Sequence, residues 1–377
     1  MRASERRDVV VIGGGTMGSA TAWQLARRNR DVLLLERFEP GHVRGASHGA
    51  SRNFNQAYSH PDYVSLLVEA LPLWRDLEAA TGTSLLDTTG IANHGANPAF
   101  DAVHAALTAA GIPAEFLPPE EASRRWPGIR FDTRVLNTPQ AGRLNANRAV
   151  SALQAVAAER GATVLHDARA TRVDVLGDDL VRVTAEVAGE RRVFTARRVV
   201  VTVGAWTKKL LDGVIDTPPL VVTQEQPVHF ALRDDSLTWP GFNHAPGTGS
   251  AYDYWRSPVY GMFTPGEGVK AGWHGVGPVV DPDARDFLPE PRQLADLQQY
   301  ARDWLPGVDA DSFVPISCTY TTAPGSNFIV DRVGPVAVGA GFAGHGFKFT
   351  PTIGRILADL VDGSGPAPKL FSLEAQR

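Results

Sequence analysis

Apolar and polar residues alternate along this chain in two recurring patterns, which predict a mixed α/β fold. Short apolar runs predict buried strands at Asp8–Ile12 and Asp31–Leu35, and helix-compatible residues cover Ser19–Arg27 between them. Apolar positions at helical spacing predict a further helix over about Tyr63–Ala80. Strand, helix and strand in this order are typical of a parallel sheet with its connecting helix packed on one face.

Both patterns continue through the rest of the chain. A helix over about Ala146–Arg160 is followed by Gly161 and a strand at Thr163–Leu165. Alternating segments predict an antiparallel meander at Ala170–Val175, Val181–Val187 and Arg192–Thr195, and Arg198–Val203 predicts a separate buried strand. Residues 218–320 predict a second sheet with one helix near Pro291–Trp304. Two strands, Phe328–Asp331 and Val336–Gly339, and a helix over about Pro351–Val361 return to the first sheet.

The glycines after the first strand predict a dinucleotide site. Gly13, Gly15 and Gly18 have G-x-G-x-x-G spacing, which allows a tight turn, close approach of backbone to a pyrophosphate, and close helix–strand packing. Glu36 ends the second strand, eighteen residues after Gly18, where a carboxylate can accept hydrogen bonds from a ribose. The motif alone does not separate FAD from NAD. The sequence shows no second such motif, which favours a flavin that the substrate reduces and that oxygen or a protein acceptor reoxidises.

The order of elements predicts an α/β chain of two domains. Residues 1–85, 146–217 and 322–377 would form a discontinuous Rossmann-type domain for the dinucleotide. Residues 86–145 and 218–321 would form a substrate domain on a mixed, largely antiparallel sheet.

Composition narrows the possible partners and location. The 377 residues carry a formal net charge of -4, which does not suggest a nucleic-acid partner. No apolar run approaches the roughly 20 residues of a membrane helix, so no membrane partner is expected. The polar segment Met1–Asp8 is expected to be neither a secretory signal nor an anchor. The only cysteine, Cys318, cannot form an internal disulfide, which suits the cytoplasm. We expect no metal site.

Four stretches place polar residues among glycines and aromatic residues: Ser47–Arg52, Lys270 in GVKAGWH, Cys318 in ISCTY, and His345–Lys348 in GFAGHGFKF. Together with VVVIGGGTMGSA, ERFEPGHVRGASHGASR, RRWPGI, VTVGAW and FIVD, they carry a resemblance over nearly the whole length. The chain resembles the monomeric sarcosine oxidase and N-methyltryptophan oxidase family, which are FAD-dependent amine oxidases of the D-amino acid oxidase superfamily.

The resemblance implies FAD attached through a thioether between its 8α-methyl carbon and Cys318. A thiolate is a soft, strong nucleophile, whereas composition alone would make Cys318 a small buried hydrophobe. The resemblance also implies contacts to the cofactor from residues in the first and fourth stretches. These residues are Ser51, Arg52, Gly344, His345, Gly346 and Lys348.

The resemblance implies that Lys270 promotes the reaction with oxygen, because a fixed cation stabilises superoxide. It implies further catalytic roles for His48, Arg52, His274 and Tyr260, and a substrate contact from Tyr320. Each of these His and Tyr residues could instead be a hydrogen-bonded core residue.

The resemblance also implies that Lys348 binds the substrate carboxylate. The family arginine that shares this task is replaced by Asn55, which offers a weaker neutral contact. A larger, cyclic or carboxylate-free secondary amine is therefore a candidate substrate. Trp239, Trp255 and Trp273 could line an aromatic pocket for it or lie in the core.

The expected reaction is hydride transfer from the α-carbon of a neutral secondary amine to flavin N5. Hydrolysis of the imine would follow, and O2 would take two electrons and leave as H2O2. A monomer is expected. Alternatives that stay open are a D-amino acid or glycine oxidase-like enzyme acting on primary amines, a flavin dehydrogenase with a protein acceptor, and a non-catalytic flavoprotein.

Overall fold

Two eight-stranded sheets organise residues 5–377, the part of the chain that the computed structural model describes. The prediction for the polar N-terminal segment falls partly on residues 1–4, which lie outside the described residues. Within residues 5–377, no helix combines the length and the apolar character that crossing a membrane requires.

The first twelve strands run from the N-terminus to the middle of the chain. They are β1 (Glu5–Ile12), β2 (Val32–Leu35), β3 (Arg52–Phe54), β4 (Leu86–Asp87), β5 (Ile91–Gly95), β6 (Glu115–Leu117), β7 (Val135–Thr138), β8 (Gly142–Leu144), β9 (Thr163–Leu165), β10 (Ala168–Gly177), β11 (Leu180–Val187) and β12 (Glu190–Val201). The remaining nine are β13 (Val221–Glu225), β14 (Val228–Leu232), β15 (Gly241–Ala245), β16 (Val259–Thr264), β17 (Gly268–Trp273), β18 (Val308–Pro315), β19 (Cys318–Thr322), β20 (Ile329–Val333) and β21 (Val336–Ala340).

The α-helices of the described residues connect and cover these strands. They are α1 (Thr16–Arg27), α2 (Pro61–Thr81), α3 (Phe100–Ala109), α4 (Pro119–Arg125), α5 (Ala146–Glu159), α6 (Thr207–Leu211), α7 (Pro291–Trp304) and α8 (Thr350–Asp362). Several begin at side chains that accept hydrogen bonds from the unpaired N–H groups of the first turn. Asn145 caps α5 and Glu290 caps α7 in this way.

The first large sheet confirms the Rossmann-type fold. Strand β1 lies between β2 and β12 and is parallel to both, and the sheet continues from β2 to β9 and from β12 to β11 and β10. Helix α1 is buried along almost its whole length and packs against α5 and α8. Gly354 of α8 permits this contact, since a Cβ there would lie 2.6 Å from the Cβ of Ala20.

One strand prediction in this sheet is wrong. Arg192–Thr195 and Arg198–Val203 were expected to form two strands, but β12 is continuous over Glu190–Val201. Its first half pairs with β11, and its second half pairs with β21, while β1 runs beside it for most of its length. Each half therefore keeps a partner that satisfies its backbone hydrogen bonds, and the chain needs no break between them.

The second large sheet has the order β18-β14-β17-β16-β15-β5-β7-β6 and is largely antiparallel, as predicted. Its one parallel pair joins β15 to β5, which comes from a segment about 150 residues earlier in the chain. The expected helix near Pro291–Trp304 is confirmed as α7, whose Leu297, Tyr300 and Trp304 are buried in the core beside this sheet.

Candidate active site

A cavity of about 850 Å³ is lined by residues of both large sheets and reaches from the glycine turn after β1 to the face of β16 and β17. Its volume lies within the range of sites for cofactors and small molecules. Within residues 5–377, no group of three or more His, Cys, Asp and Glu side chains is arranged to hold a metal ion.

The glycine turn brings backbone to one end of the cavity. Gly13 has a φ of +99°, at which a side chain would strain the backbone, and a Cβ on Gly18 would lie 1.9 Å from the carbonyl oxygen of Gly13, so neither position accepts a side chain. Gly15 lines the cavity and precedes the first turn of α1. The N–H of Thr16 donates to Oγ of Ser47 at 3.0 Å. This helix N-terminus is suited to an anionic group such as a pyrophosphate.

Glu36 lies at the end of β2 beside the same turn, lines the cavity and is only 5 % exposed. Its carboxylate accepts hydrogen bonds from the N–H of Gly14 at 2.7 Å and of Phe38 at 3.0 Å. Burial alone would raise the pKa of Glu36, but His42 and these two N–H groups outweigh it and lower the pKa. Glu36 is therefore anionic, as a ribose-binding carboxylate must be, and it also holds the glycine turn.

Lys270, Arg52 and His48 come together where the loop before β3 meets β17. Lys270 is 3 % exposed, and its Nζ donates to the carbonyl of Ser51 at 3.2 Å. Arg52 donates to the carbonyls of Ser51, Ala46 and His48 at 2.8, 3.1 and 2.5 Å. Burial and, to a smaller extent, the charge of Arg52 lower the pKa of Lys270 to about 7.

His48 is neutral in this environment. Burial lowers its pKa to about 3, with smaller contributions from Arg52 and Lys270. Its Nε2 is buried and has no hydrogen-bond partner in the described residues. A buried polar atom without a partner is costly, which points to a ligand group at this position.

Lys348 lies on a short 3-10 turn before α8 and is 6 % exposed. Its Nζ donates to the hydroxyl of Tyr58 at 3.1 Å and to the carbonyl of His345 at 2.6 Å. Burial lowers its pKa to about 7. Asn55 also lines the cavity, and its side-chain oxygen is already used by the N–H of Ala57.

Tyr260, Tyr320 and His274 form the wall opposite these loops. The hydroxyl of Tyr320 lies 3.4 Å from Nδ1 of His274. Burial raises the pKa of both tyrosines, so both are neutral phenols that can donate hydrogen bonds. Gly344 packs on the ring of Tyr320, since a Cβ there would lie 2.1 Å from the ring carbon Cζ.

Cys318 begins β19 and lines the cavity as a partly buried thiol. Beside it lies Arg285, which is 9 % exposed and donates to Oγ of Ser317 at 2.8 Å and to the carbonyl of Arg44 at 2.8 Å. Arg285 lies in a stretch without clear periodicity and was not among the predicted site residues.

The structure brings most of the predicted residues to this cavity but not all of them. Ser51 is 1 % exposed, and its hydroxyl faces Oγ1 of Thr264 at 2.6 Å instead of lining the cavity. Trp239, Trp255 and Trp273 do not line it either and belong to the core packed on the second sheet. Besides Arg285, which lies next to the cavity, the prediction missed several residues that line it: Ser47, Tyr58, Asn93, Gln154 and Asn243.

Four cations at the end of the cavity away from the glycine turn share one property. Among residues 5–377, none of them forms an ion pair with a carboxylate, and each donates to neutral oxygens instead; the half-buried Arg52 and the buried Lys270 and Lys348 line the cavity, and the buried Arg285 lies beside it. The carboxylates that line the cavity, Glu36 and Asp283, lie at the glycine-turn end, where Asp283 accepts from Arg37. The other end is therefore suited to an anion and not to a cation.

Comparison with known proteins gives a consistent result. A model of the family described as FAD dependent oxidoreductase matches residues 8–360. The chain is 31 % identical to monomeric sarcosine oxidase of Bacillus sp. (strain B-0618), covering 94 % of this chain and 91 % of that protein. It is 29 % identical to N-methyl-L-tryptophan oxidase of Yersinia pestis, covering 93 % of this chain and 94 % of that protein. Among solved structures, NikD, an unusual amino acid oxidase essential for nikkomycin biosynthesis, is similar at a TM-score of 0.84 and 27 % identity, covering 97 % of this chain and 96 % of that one.

The two buried lysines predict a pH dependence of anion binding. With a pKa of about 7, Lys270 and Lys348 are charged below pH 7 and lose the charge as the pH rises through that value. The dissociation constant of a small carboxylate such as acetate, which is ionised above about pH 5.5, should change little between about pH 5.5 and 6 and rise about tenfold per pH unit above 7. Titration calorimetry measures it.

The double variant Lys270→Met/Lys348→Met should bind acetate weakly and without this pH dependence. Lys208→Met, at an exposed position on α6, should retain the wild-type profile. A wild-type affinity that stays constant between pH 6 and 9 would contradict the assignment of the charge to these lysines.

Proposed function

Since this chain belongs to the family of FAD dependent oxidoreductases, we propose that it oxidises a secondary amine that bears a carboxylate and passes the electrons to O2. The relatives named above include oxidases of sarcosine and of N-methyl-L-tryptophan, both of which are secondary amines. The observation that carries the proposal is the set of buried cations without carboxylate partners at one end of a cavity whose other end has the dinucleotide geometry.

The residues present fit FAD. Backbone N–H groups at Gly15 and the start of α1 would receive the pyrophosphate, and Glu36 would receive the ribose. The unpartnered Nε2 of His48 and the nearby thiol of Cys318 would face the ring system, with Cys318 as its covalent attachment. When bound, FAD supplies the two-electron acceptor that takes a hydride from the carbon beside the amine nitrogen.

The protein's own part in the reaction is to place the substrate and set its charge. Lys348, donating already to Tyr58 and His345, would bind the substrate carboxylate. The surrounding positive charge disfavours an ammonium and so favours the neutral amine, which has the lone pair that hydride loss requires. Tyr260, Tyr320 and His274 line the same wall and would orient the substrate by hydrogen bonds.

Lys270 would promote the reaction with oxygen. It is buried, and its charge is not neutralised by a carboxylate of the described residues, so it can stabilise superoxide as an electron arrives.

The proposal extends to the organisation of the chain. The glycine turn and Glu36 belong to the FAD-binding domain, residues 1–85, 146–217 and 322–377. Lys270 and Tyr260 belong to the substrate domain, residues 86–145 and 218–321. The monomeric state and the cytoplasmic location stay predictions.

A panel of amines tests the function directly. In air, the purified enzyme should oxidise N-methyl amino acids and produce H2O2, with a higher kcat/KM than for the matching primary amino acids. Carboxylate-free N-methyl amines should react poorly. A peroxide-coupled assay measures this. A preference for primary amines, or substrate oxidation without peroxide, would contradict the proposal.

Replacement of the only cysteine tests the attachment of the cofactor. Cys318→Ser removes the nucleophilic thiol, so flavin fluorescence should no longer accompany the denatured protein on a gel. Ser317→Ala, at the neighbouring position, should keep it. Flavin that remains attached after denaturation of Cys318→Ser would place the linkage elsewhere.

Neutralisation of Lys270 tests its role towards oxygen. Lys270→Met should slow the reaction of the reduced enzyme with O2 about a hundredfold, the equivalent of roughly 3 kcal/mol of lost charge stabilisation. Anaerobic reduction by the substrate should change much less, and Lys208→Met should change neither rate. Stopped-flow absorbance follows both half-reactions separately, and equal slowing of both would remove the assigned role.

A further inference from the structure

The cavity-facing side of the second sheet carries polar side chains in a row that leads away from β17. Asn93 of β5 lies opposite Asn243 of β15, and Asn243 lies opposite Tyr260 of β16. Directly opposed residues of neighbouring strands point to the same face of a sheet. All three residues line the cavity. Since neighbouring strands are about 4.8 Å apart, Asn243 lies about one strand spacing beyond Tyr260 and about two from β17, which carries Lys270.

The orientation of the two amides is determined by a backbone group. Nδ2 of Asn93 donates to the carbonyl of Leu136 at 3.2 Å, and a carbonyl can only accept. Oδ1 of Asn93 must therefore face Asn243, whose Nδ2 donates to it at 3.0 Å. Asn243 is left with Oδ1 and a second N–H, and no donor of residues 5–377 reaches that oxygen.

Asn93 is 3 % exposed and both ends of its amide are hydrogen-bonded, so it holds Asn243 in a fixed orientation. Asn243 is half-buried and lines the cavity, where its unused oxygen can accept a hydrogen bond from a ligand. The charge of the surroundings further restricts the ligand. The lining carboxylates lie at the glycine-turn end, so a cationic group at Asn243 would have no counter-charge.

We propose that Asn243, held in place by Asn93, is a specificity-determining residue that hydrogen-bonds a neutral polar group on the substrate, through an N–H or O–H donor. The substrate class is then a secondary amino acid whose side chain ends in a carbamoyl or hydroxyl group, and not an aliphatic or basic one. The inference rests on the proposed function for the reaction that the substrate undergoes, but the recognition of the substrate side chain by Asn243 does not depend on it.

The sharpest comparison uses two substrates of nearly equal shape and the same configuration, N-methylasparagine and N-methylleucine. The wild-type kcat/KM should favour N-methylasparagine at least tenfold, because the apolar analogue leaves the oxygen of Asn243 unpaired. In Asn243→Leu the ratio should fall to one or below. Asn243→Ala serves as a second variant if the leucine is not tolerated by the fold.

Asn137→Leu is the matched control. Asn137 lies opposite Ala92 in the same sheet, one position out of phase with Asn93, and does not line the cavity. This variant should keep the wild-type preference.

A binding measurement separates this inference from the proposed function. In 2-methoxy acids with the same two side chains an oxygen replaces the amine nitrogen, so amine oxidation is impossible. Calorimetry should show about tenfold tighter binding of the carbamoyl acid to the wild type and no preference in Asn243→Leu.

If the amines are not oxidised but this binding preference holds, only the proposed function fails. If the wild type binds neither acid or both equally, or if Asn243→Leu retains the preference, the role of Asn243 is overturned.

Discussion

Buried positive charge without a buried counter-charge is the constraint on which this site depends. Arg52, Lys270 and Lys348 are held by carbonyl and hydroxyl oxygens, and within residues 5–377 no carboxylate pairs with them. Burying a charge in this way is unfavourable, and the lysines respond with a pKa of about 7. An anionic ligand would relieve this cost, which is why the proposed function gives the same feature two tasks, binding of a carboxylate and electron transfer to oxygen.

The loop before β3 and the second large sheet meet at these charges. The loop that ends at β3 turns its carbonyls inward, so that Ser51 accepts from both Arg52 and Lys270. Lys270 comes from the middle of β17, where its neighbours on both sides hold the backbone rigidly. The dinucleotide half and the sheet wall are therefore joined by hydrogen bonds at the point where the proposed chemistry takes place.

Much of the fold followed from local patterns. The glycine spacing, the apolar runs around it and the helical periodicities predicted the α/β class and a dinucleotide site, and the family resemblance predicted FAD as its occupant; the fold class and FAD are confirmed. The prediction failed where two neighbouring stretches merged, since β12 is one strand that changes partners along its length. Ser51 lies beside the cavity and not in it, because its hydroxyl is engaged by Thr264.

The sequence by itself determined the features that depend on neighbours in the chain: the glycine turn, the strand after it, Glu36 at its fixed separation, and the single thiol. Only the tertiary structure decided which distant side chains share a wall. Tyr58 and Lys348 are 290 residues apart, and Asn93 and Asn243 are 150 apart. The physical reason is that strand register and loop closure set these contacts, and both are properties of the packed chain that no local pattern of residues contains.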